Sequence, residues 1–226
     1  GKLDEQGIAD EVDLNIVPME GQINLGPFDI RFVPLAHSIL EMSALVIDTP
    51  YGKVFHTGDW KLDATPLIGE GSNDKRLQEL GAEGVDVVIC DSTNAMRQGR
   101  SPSEVEVAAS ITNIIKAAKR RVAVTTFASN VARVKAVADA AEAAGRKLVI
   151  SGRAMHRVIR VAKDTGYLPE DFSALDHNQF GYLDAEDVVL LATGSQGESR
   201  AAMARISDDD HPEIALGKGD LVIFSS

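Results

Sequence analysis

His37, Asp59 and Asp91 stand where a divalent-metal hydrolase would need its side chains, just past apolar stretches. His37 follows Phe32-Val33-Pro34-Leu35-Ala36. Asp59 ends His56-Thr57-Gly58-Asp59, after Lys53-Val54-Phe55. Asp91 opens Asp91-Ser92-Thr93-Asn94, after Val87-Val88-Ile89-Cys90. Imidazole nitrogen and carboxylate oxygen are donors for zinc or manganese. His56, three residues before Asp59, is placed to hold a ligand in orientation rather than to bind an ion itself. Plainer roles stay open: Asp59 can cap a helix or an Asx turn, and His37 can be a hydrogen-bonded core histidine. No His-x-His-x-Asp-His run occurs in the sequence, so this chain supplies only part of any metal cage.

Three further loops carry a different chemistry. Phe127-Ala128-Ser129-Asn130, Ser151-Gly152-Arg153 and Thr193-Gly194-Ser195-Gln196-Gly197-Glu198 each follow an apolar strand pattern and precede a helical one. In a parallel sheet such loops gather at one edge, at helix N-termini, where free N–H groups suit phosphate. Arg153, Arg157 and Arg160 share a helix face opposite Met155, Val158, Ile159 and Ala162. Ordinary turn and capping chemistry is the competing account of these loops. His156, His177 and His211 are assigned to the surface.

The elements that must position these residues fall into two grammars. Phe28, Ile30 and Phe32 alternate with Asp29 and Arg31, which predicts a half-buried strand within 27–35. Pro50-Tyr51-Gly52 between two apolar runs predicts a hairpin. From Val85 the pattern becomes strand, helix, strand, helix. Strands are expected at 85–90, 121–126, 147–151, 188–192 and 221–224, and helices at 103–119, 129–144, 153–165 and 198–206, with 167–186 as loop. That alternation predicts a parallel sheet with helices on both faces. The reading is α/β, with an antiparallel-to-mixed unit at residues 1–100 and a doubly wound unit at 101–226.

Composition narrows the class. The chain has 226 residues, 44% of them apolar, enough for a real core. No apolar run has membrane-spanning length and no signal peptide is seen. The single cysteine, Cys90, cannot pair within the chain and is expected in a core strand, which fits a reducing cytoplasm. Net charge is −11, which argues against a general nucleic-acid binder, although Lys116, Lys119, Arg120 and Arg121 cluster locally. Lys2 to Gln6 reads as the tail of a helix, and both ends look cut from something longer.

The stretches Ala36-His37-Ser38-Ile39, His56-Thr57-Gly58-Asp59-Trp60-Lys61-Leu62-Asp63, Cys90-Asp91-Ser92-Thr93-Asn94, Thr126-Phe127-Ala128-Ser129-Asn130 and Thr193-Gly194-Ser195-Gln196-Gly197-Glu198 resemble ribonuclease J. That family belongs to the β-CASP branch of the metallo-β-lactamase superfamily. The resemblance runs nearly end to end, in order. It implies that 1–100 is the C-terminal part of a metallo-β-lactamase αββα sandwich and 101–226 a β-CASP domain. It implies RNA as substrate, 5′-to-3′ exonuclease and endonuclease activity in RNA processing and decay, and two divalent ions, zinc or manganese. By the same resemblance His37 and Asp59 are metal ligands, Asp91 supports the site, and Ser129, Asn130, Ser195 and Gln196 line the RNA path; His56, from its spacing to Asp59, is added as a supporting residue, and Arg153 and Gly194, from the phosphate-suited loops, as RNA-binding ones. Homo-oligomers of the full-length enzyme stay open. The family's His-x-His-x-Asp-His motif is expected upstream of residue 1, and its later histidine motifs downstream of residue 226. The chain alone is therefore expected to be inactive. A non-catalytic RNA-binding module, or a related hydrolase with another substrate, are the alternatives.

Overall fold

The computed structural model describes residues 3, 6–63, 65–69 and 74–225, so the helix tail expected at 2–6 lies largely outside the described residues. The chain divides into two compact units. One comprises Gly1–Leu35, Ser43–Asp59 and Asn73–Thr93; the other comprises Ala36–Met42, Trp60–Ser72 and Asn94–Ser226.

The first unit is built on one sheet in chain order: β1 (Gln22–Leu25), β2 (Phe28–Pro34), β3 (Ser43–Thr49), β4 (Gly52–His56) and β5 (Val87–Ile89). β1 to β4 pair antiparallel, and β5 joins β4 in parallel, with His56 opposite Ile89. The strand expected at 85–90 is thus shorter, and Cys90 lies past its end, exposed rather than in a core. β5 is one edge strand of the sheet, and all three of its residues are exposed.

Helix α1 (Asp74–Glu83) has no counterpart in the sequence reading. Its last residue, Glu83, receives Arg31 Nη2 at 2.9 Å and Lys53 Nζ at 2.8 Å, tying the helix to β2 and β4. Arg31 and Lys53 together pull the Glu83 carboxyl from its ordinary range down to about 2. A depressed folded-state pKa contributes stability above the ordinary carboxylate value, and that contribution is lost as pH falls through the folded one. Acid titration of unfolding should therefore show a loss below about pH 4.5 that Glu83→Gln flattens; an unchanged profile would remove Glu83 from the account.

The second unit holds an all-parallel sheet: β6 (Val122–Thr125), β7 (Lys147–Ser151), β8 (Leu175–Asp176), β9 (Val188–Ala192) and β10 (Leu221–Phe224), in the order β10-β6-β9-β7-β8. Helices α2 (Glu104–Ala117), α3 (Val131–Ala143), α4 (Arg153–Asp164) and α5 (Ala202–Ser207) complete it. Period-two alternation sends strand side chains to two separate cores. Val122, Val124, Leu148, Ile150, Val189 and Leu191 pack with Ile111, Ile115, Val134, Val137 and Met155 from the helices. Ala123, Val149, Leu190 and Ala192 pack on the other side with Met203, Ile206 and Phe180. A sheet buried on both faces is what the continuous apolar strands require. The fold is therefore α/β, with a parallel sheet covered by helices.

Two sequence expectations change in detail. The last helix begins at Ala202 rather than Glu198. Gly197 adopts φ 75, and the N–H groups of Ala202 and Met203 are tied to Thr193 Oγ1 and O at 3.2 and 3.0 Å. The stretch 167–186 contains the short β8 and 3₁₀ turns at His177–Tyr182 and Ala185–Asp187, held by buried Phe180.

Candidate functional site

In the first unit, β4 and β5 are parallel neighbours, so their carboxyl ends emerge side by side. Thr57 stitches the two exits: its N–H donates to Ile89 O at 2.9 Å, and its Oγ1 accepts from Asp91 N at 3.1 Å. The Asp59 turn and the Asp91 loop are thereby brought together. His56 is exposed and uses Nδ1 to accept from Gly58 N at 3.1 Å, which shapes the turn before Asp59. Asp59 is exposed. Asp91 Oδ1 accepts from Thr93 N at 2.9 Å and Thr93 Oγ1 at 2.6 Å, an Asx-type turn that stiffens its own loop.

His37 belongs to the second unit, where it is half-buried. Its Nδ1 lies 3.2 Å from Ser38 Oγ. With Nδ1–H given to Ser38, Nε2 keeps a lone pair for a ligand role. The segment is anchored by Lys61 N donating to Ala36 O at 2.8 Å. As donors, one imidazole and one carboxylate fit a divalent ion in kind. In number they fall short of a dinuclear cage.

The three expected loops do meet at one edge of the parallel sheet. β9 sits between β6 and β7, with Thr125, Ala192 and Ser151 at the same level. Contact is close: a Cβ on Gly152, at φ 118, would stand 2.9 Å from Thr193 Oγ1. The individual residues differ in role. Asn130 is buried and caps α3, its Oδ1 accepting from Arg133 N at 2.9 Å. Ser129, Arg153 and Gln196 are exposed, although Gln196 N donates to Glu198 Oε2 at 3.0 Å. Gly194 is buried at φ 119. Ser195 Oγ is buried without a hydrogen-bond partner, as are Thr125 Oγ1 and Thr126 Oγ1. Sequence reasoning missed those two threonines, because a hydroxyl's lack of a partner is a property of the fold.

It also missed an ionic clamp. Arg133 directs Nε and Nη2 at both Glu104 oxygens, 3.0 to 3.3 Å away, and Nη1 at Ser225 Oγ. Lys61 Nζ bridges Glu104 and Asp63 at 3.4 and 3.2 Å. Asp63 accepts from Glu104 N and Thr65 N, both at 3.0 Å. Burial alone would raise the Asp63 carboxyl; these N–H groups and Lys61 outweigh it and hold it below the ordinary range.

The histidines assigned to the surface are not independent solvent-facing groups. His156, Asp176 and His177 place donor atoms within 4.8 Å of one another, a three-residue cluster able to hold a cation. His177 packs edge-on against His211, centroids 5.6 Å apart. All three histidines are half-buried. The register Ile150 to Asp176 brings β8 beside the start of α4, which places them together.

Among the described residues no helix is long and apolar enough to cross a membrane. Residues 119–226 match the family described as ribonuclease J, beta-CASP domain. Ribonuclease J of Sinorhizobium meliloti is 46% identical over 96% of this chain and 38% of its own length. Ribonuclease J of Thermus thermophilus is 40% identical over 100% of the chain and 40% of its own length. The chain thus spans about two-fifths of these curated relatives. A crystal structure of a protein of unknown function from Enterococcus faecalis shares the fold, with TM-score 0.56 and 15% identity over 79% of this chain and 44% of that one. The chain is homologous over most of its length to ribonuclease J, of the metallo-β-lactamase and β-CASP family.

Proposed function

We propose that this chain forms the RNA-holding portion of a metal-dependent ribonuclease and contributes His37 and Asp59 to its metal centre. The observation that carries the reading is the trio of buried hydroxyls without partners, Thr125, Thr126 and Ser195, at or just past strand carboxyl ends. A buried hydroxyl left unpaired costs about 1–3 kcal/mol, which a ligand oxygen would offset where loop movement opens the hydroxyl to it. Exposed Ser129, Gln196 and Arg153 at the same edge add donors and a positive charge, the chemistry of a phosphodiester backbone. Asn130 and Gly194 act by shaping those loops. Residues 1–100 are assigned as the C-terminal part of the metallo-β-lactamase domain and 101–226 as the β-CASP domain.

Within the whole enzyme His37 would hold one ion through neutral Nε2, and Asp59 would hold ions through its carboxylate. Zinc or manganese, when bound, supplies positive charge to the scissile phosphate and an activated water. The chain's own work is positioning: Thr57 couples Asp59 to Asp91, His56 sets the turn, and the loop edge orients the strand. RNA as partner and its hydrolysis, exo- and endonucleolytic, are parts of this proposal supported by the relatives' name; a cytoplasmic setting is supported by the lone cysteine, and self-association of the full-length enzyme is proposed with them.

One imidazole and one carboxylate do not hold two ions, so the 226-residue chain is expected to bind RNA without hydrolysing it. With 5′-phosphorylated RNA and Mn²⁺ or Zn²⁺, binding should weaken as salt rises. Arg153→Ala and Ser195→Ala should each weaken it several-fold without altering the fold. Equal affinity in both variants would remove the loop edge from the RNA path. Turnover that Asp59→Ala abolishes would overturn the inactivity of the isolated chain.

A further inference from the structure

We propose that His156, Asp176 and His177 form a zinc-type cation site within the second unit, separate from the ligands His37 and Asp59. The donor atoms lie within 4.8 Å of one another. His177 Nδ1 is 2.7 Å from Asp176 Oδ1, and His156 Nε2 is 3.8 Å from Asp176 Oδ2. The second observation is that His156 Nε2 is closed off from solvent yet has no hydrogen-bond partner. An unpaired, buried ring nitrogen beside a carboxylate is the arrangement that a cation satisfies.

The chemistry selects the ion. Two imidazoles and one carboxylate suit a borderline transition ion such as Zn²⁺ or Co²⁺ over the hard ions Mg²⁺ and Ca²⁺. Zinc would require ligand bonds of about 2.0–2.2 Å, and water would complete its coordination. His211 is not a fourth ligand. Its Nδ1 accepts from Ile214 N at 3.2 Å and Glu213 N at 3.3 Å, so Nε2 carries the hydrogen and donates to Ser151 Oγ at 3.0 Å. Its ring packs edge-on against His177, centroids 5.6 Å apart, and holds that ligand in place. The three ligands come from the first turn of α4 and the end of β8, which β7 fixes side by side. The ion would pin the 3₁₀ segment 177–182 to α4.

The test uses the untagged chain stripped with a chelator and titrated with Co²⁺ and Zn²⁺, following visible cobalt bands and the unfolding temperature. The expected result is a site lost or weakened at least ~10-fold in each of His156→Ala, Asp176→Asn and His177→Ala, and retained in the His37→Ala/Asp59→Ala double variant. Zinc should raise the unfolding temperature of the parent chain but not of His156→Ala. Circular dichroism of the stripped variants should match the parent, and His156→Gln repeats the test at nearly constant volume. No cation uptake by the parent, or uptake unchanged in His156→Ala, would overturn the site. Uptake abolished only in the His37→Ala/Asp59→Ala variant would overturn it too, while leaving the proposed function standing.

Discussion

Arg133→Ala lowers the stability of the second unit by about 3–5 kcal/mol, the range for removing one partner of a buried ion pair. Arg133 is 5% exposed and forks both Glu104 oxygens. Truncation leaves the Glu104 carboxylate largely buried, with only Lys61 at 3.4 Å to balance it. It also strips a donor from Ser225 and opens space against α2. The cost arises from the stranded charge more than from the lost attraction, and a second variant separates the two. Arg133→Met with Glu104→Gln removes both charges at similar volume and should recover a large part of the loss. Chemical denaturation followed at the second unit's transition decides it: a single-variant loss below about 1 kcal/mol would show the pair to be effectively solvated. Acid acts on the same clamp through Asp63. Its carboxyl is held below the ordinary range, so its stabilisation is full above that range and fades as pH falls beneath it.

The architecture was legible where local pattern and tertiary demand agree. Alternation in β2 and the Pro50-Tyr51-Gly52 turn mark the hairpin sheet, and strand–helix alternation marks the parallel one. Strand order was not legible. β9 inserts between β6 and β7, and that choice depends on pairings among segments far apart in sequence. Helix α1 escaped because its face is polar, contains Gly81 and buries only Leu80, so its period is faint; its anchor is the Glu83 ion pair. The start of α5 was misplaced because Thr193, not the local sequence, supplies the capping bonds.

The candidate site divides in the same way. Residues just past strand ends, His37, Asp59 and Asp91, are proposed as site residues from type and position alone. Asn130 could not be told from a ligand-facing amide until its bond to Arg133 N placed it as a helix cap. His156 and His177 looked like unrelated surface groups, since only the β7–β8 register joins them.

Gly194→Ala destabilises the second unit by about 2–5 kcal/mol, and Gly197→Ala, three residues on, by only about 1 kcal/mol. Both glycines occupy positive φ, 119 and 75. Backbone strain alone would therefore penalise both. The difference lies in what a methyl group meets. At Gly194 it would stand 2.9 Å from Met203 Cβ and 3.0 Å from Ala201 Cβ, while at Gly197 nothing lies within 4 Å. A Cβ is the rigid root of a side chain and cannot swing aside, so relief requires α5 to move. Met203 N is bonded to Thr193 O at 3.0 Å, and Met203 and Ile206 fill the core beneath β9. Moving α5 therefore breaks a strand-end bond and opens that core. The same shift displaces Ser195, so Gly194→Ala should weaken RNA binding beyond its effect on the folded fraction, whereas Gly197→Ala should not. Urea midpoints and binding isotherms on the two variants measure both quantities. Equal losses would show that the loop after β9 has room to relax and that conformational strain alone sets the glycine requirement there.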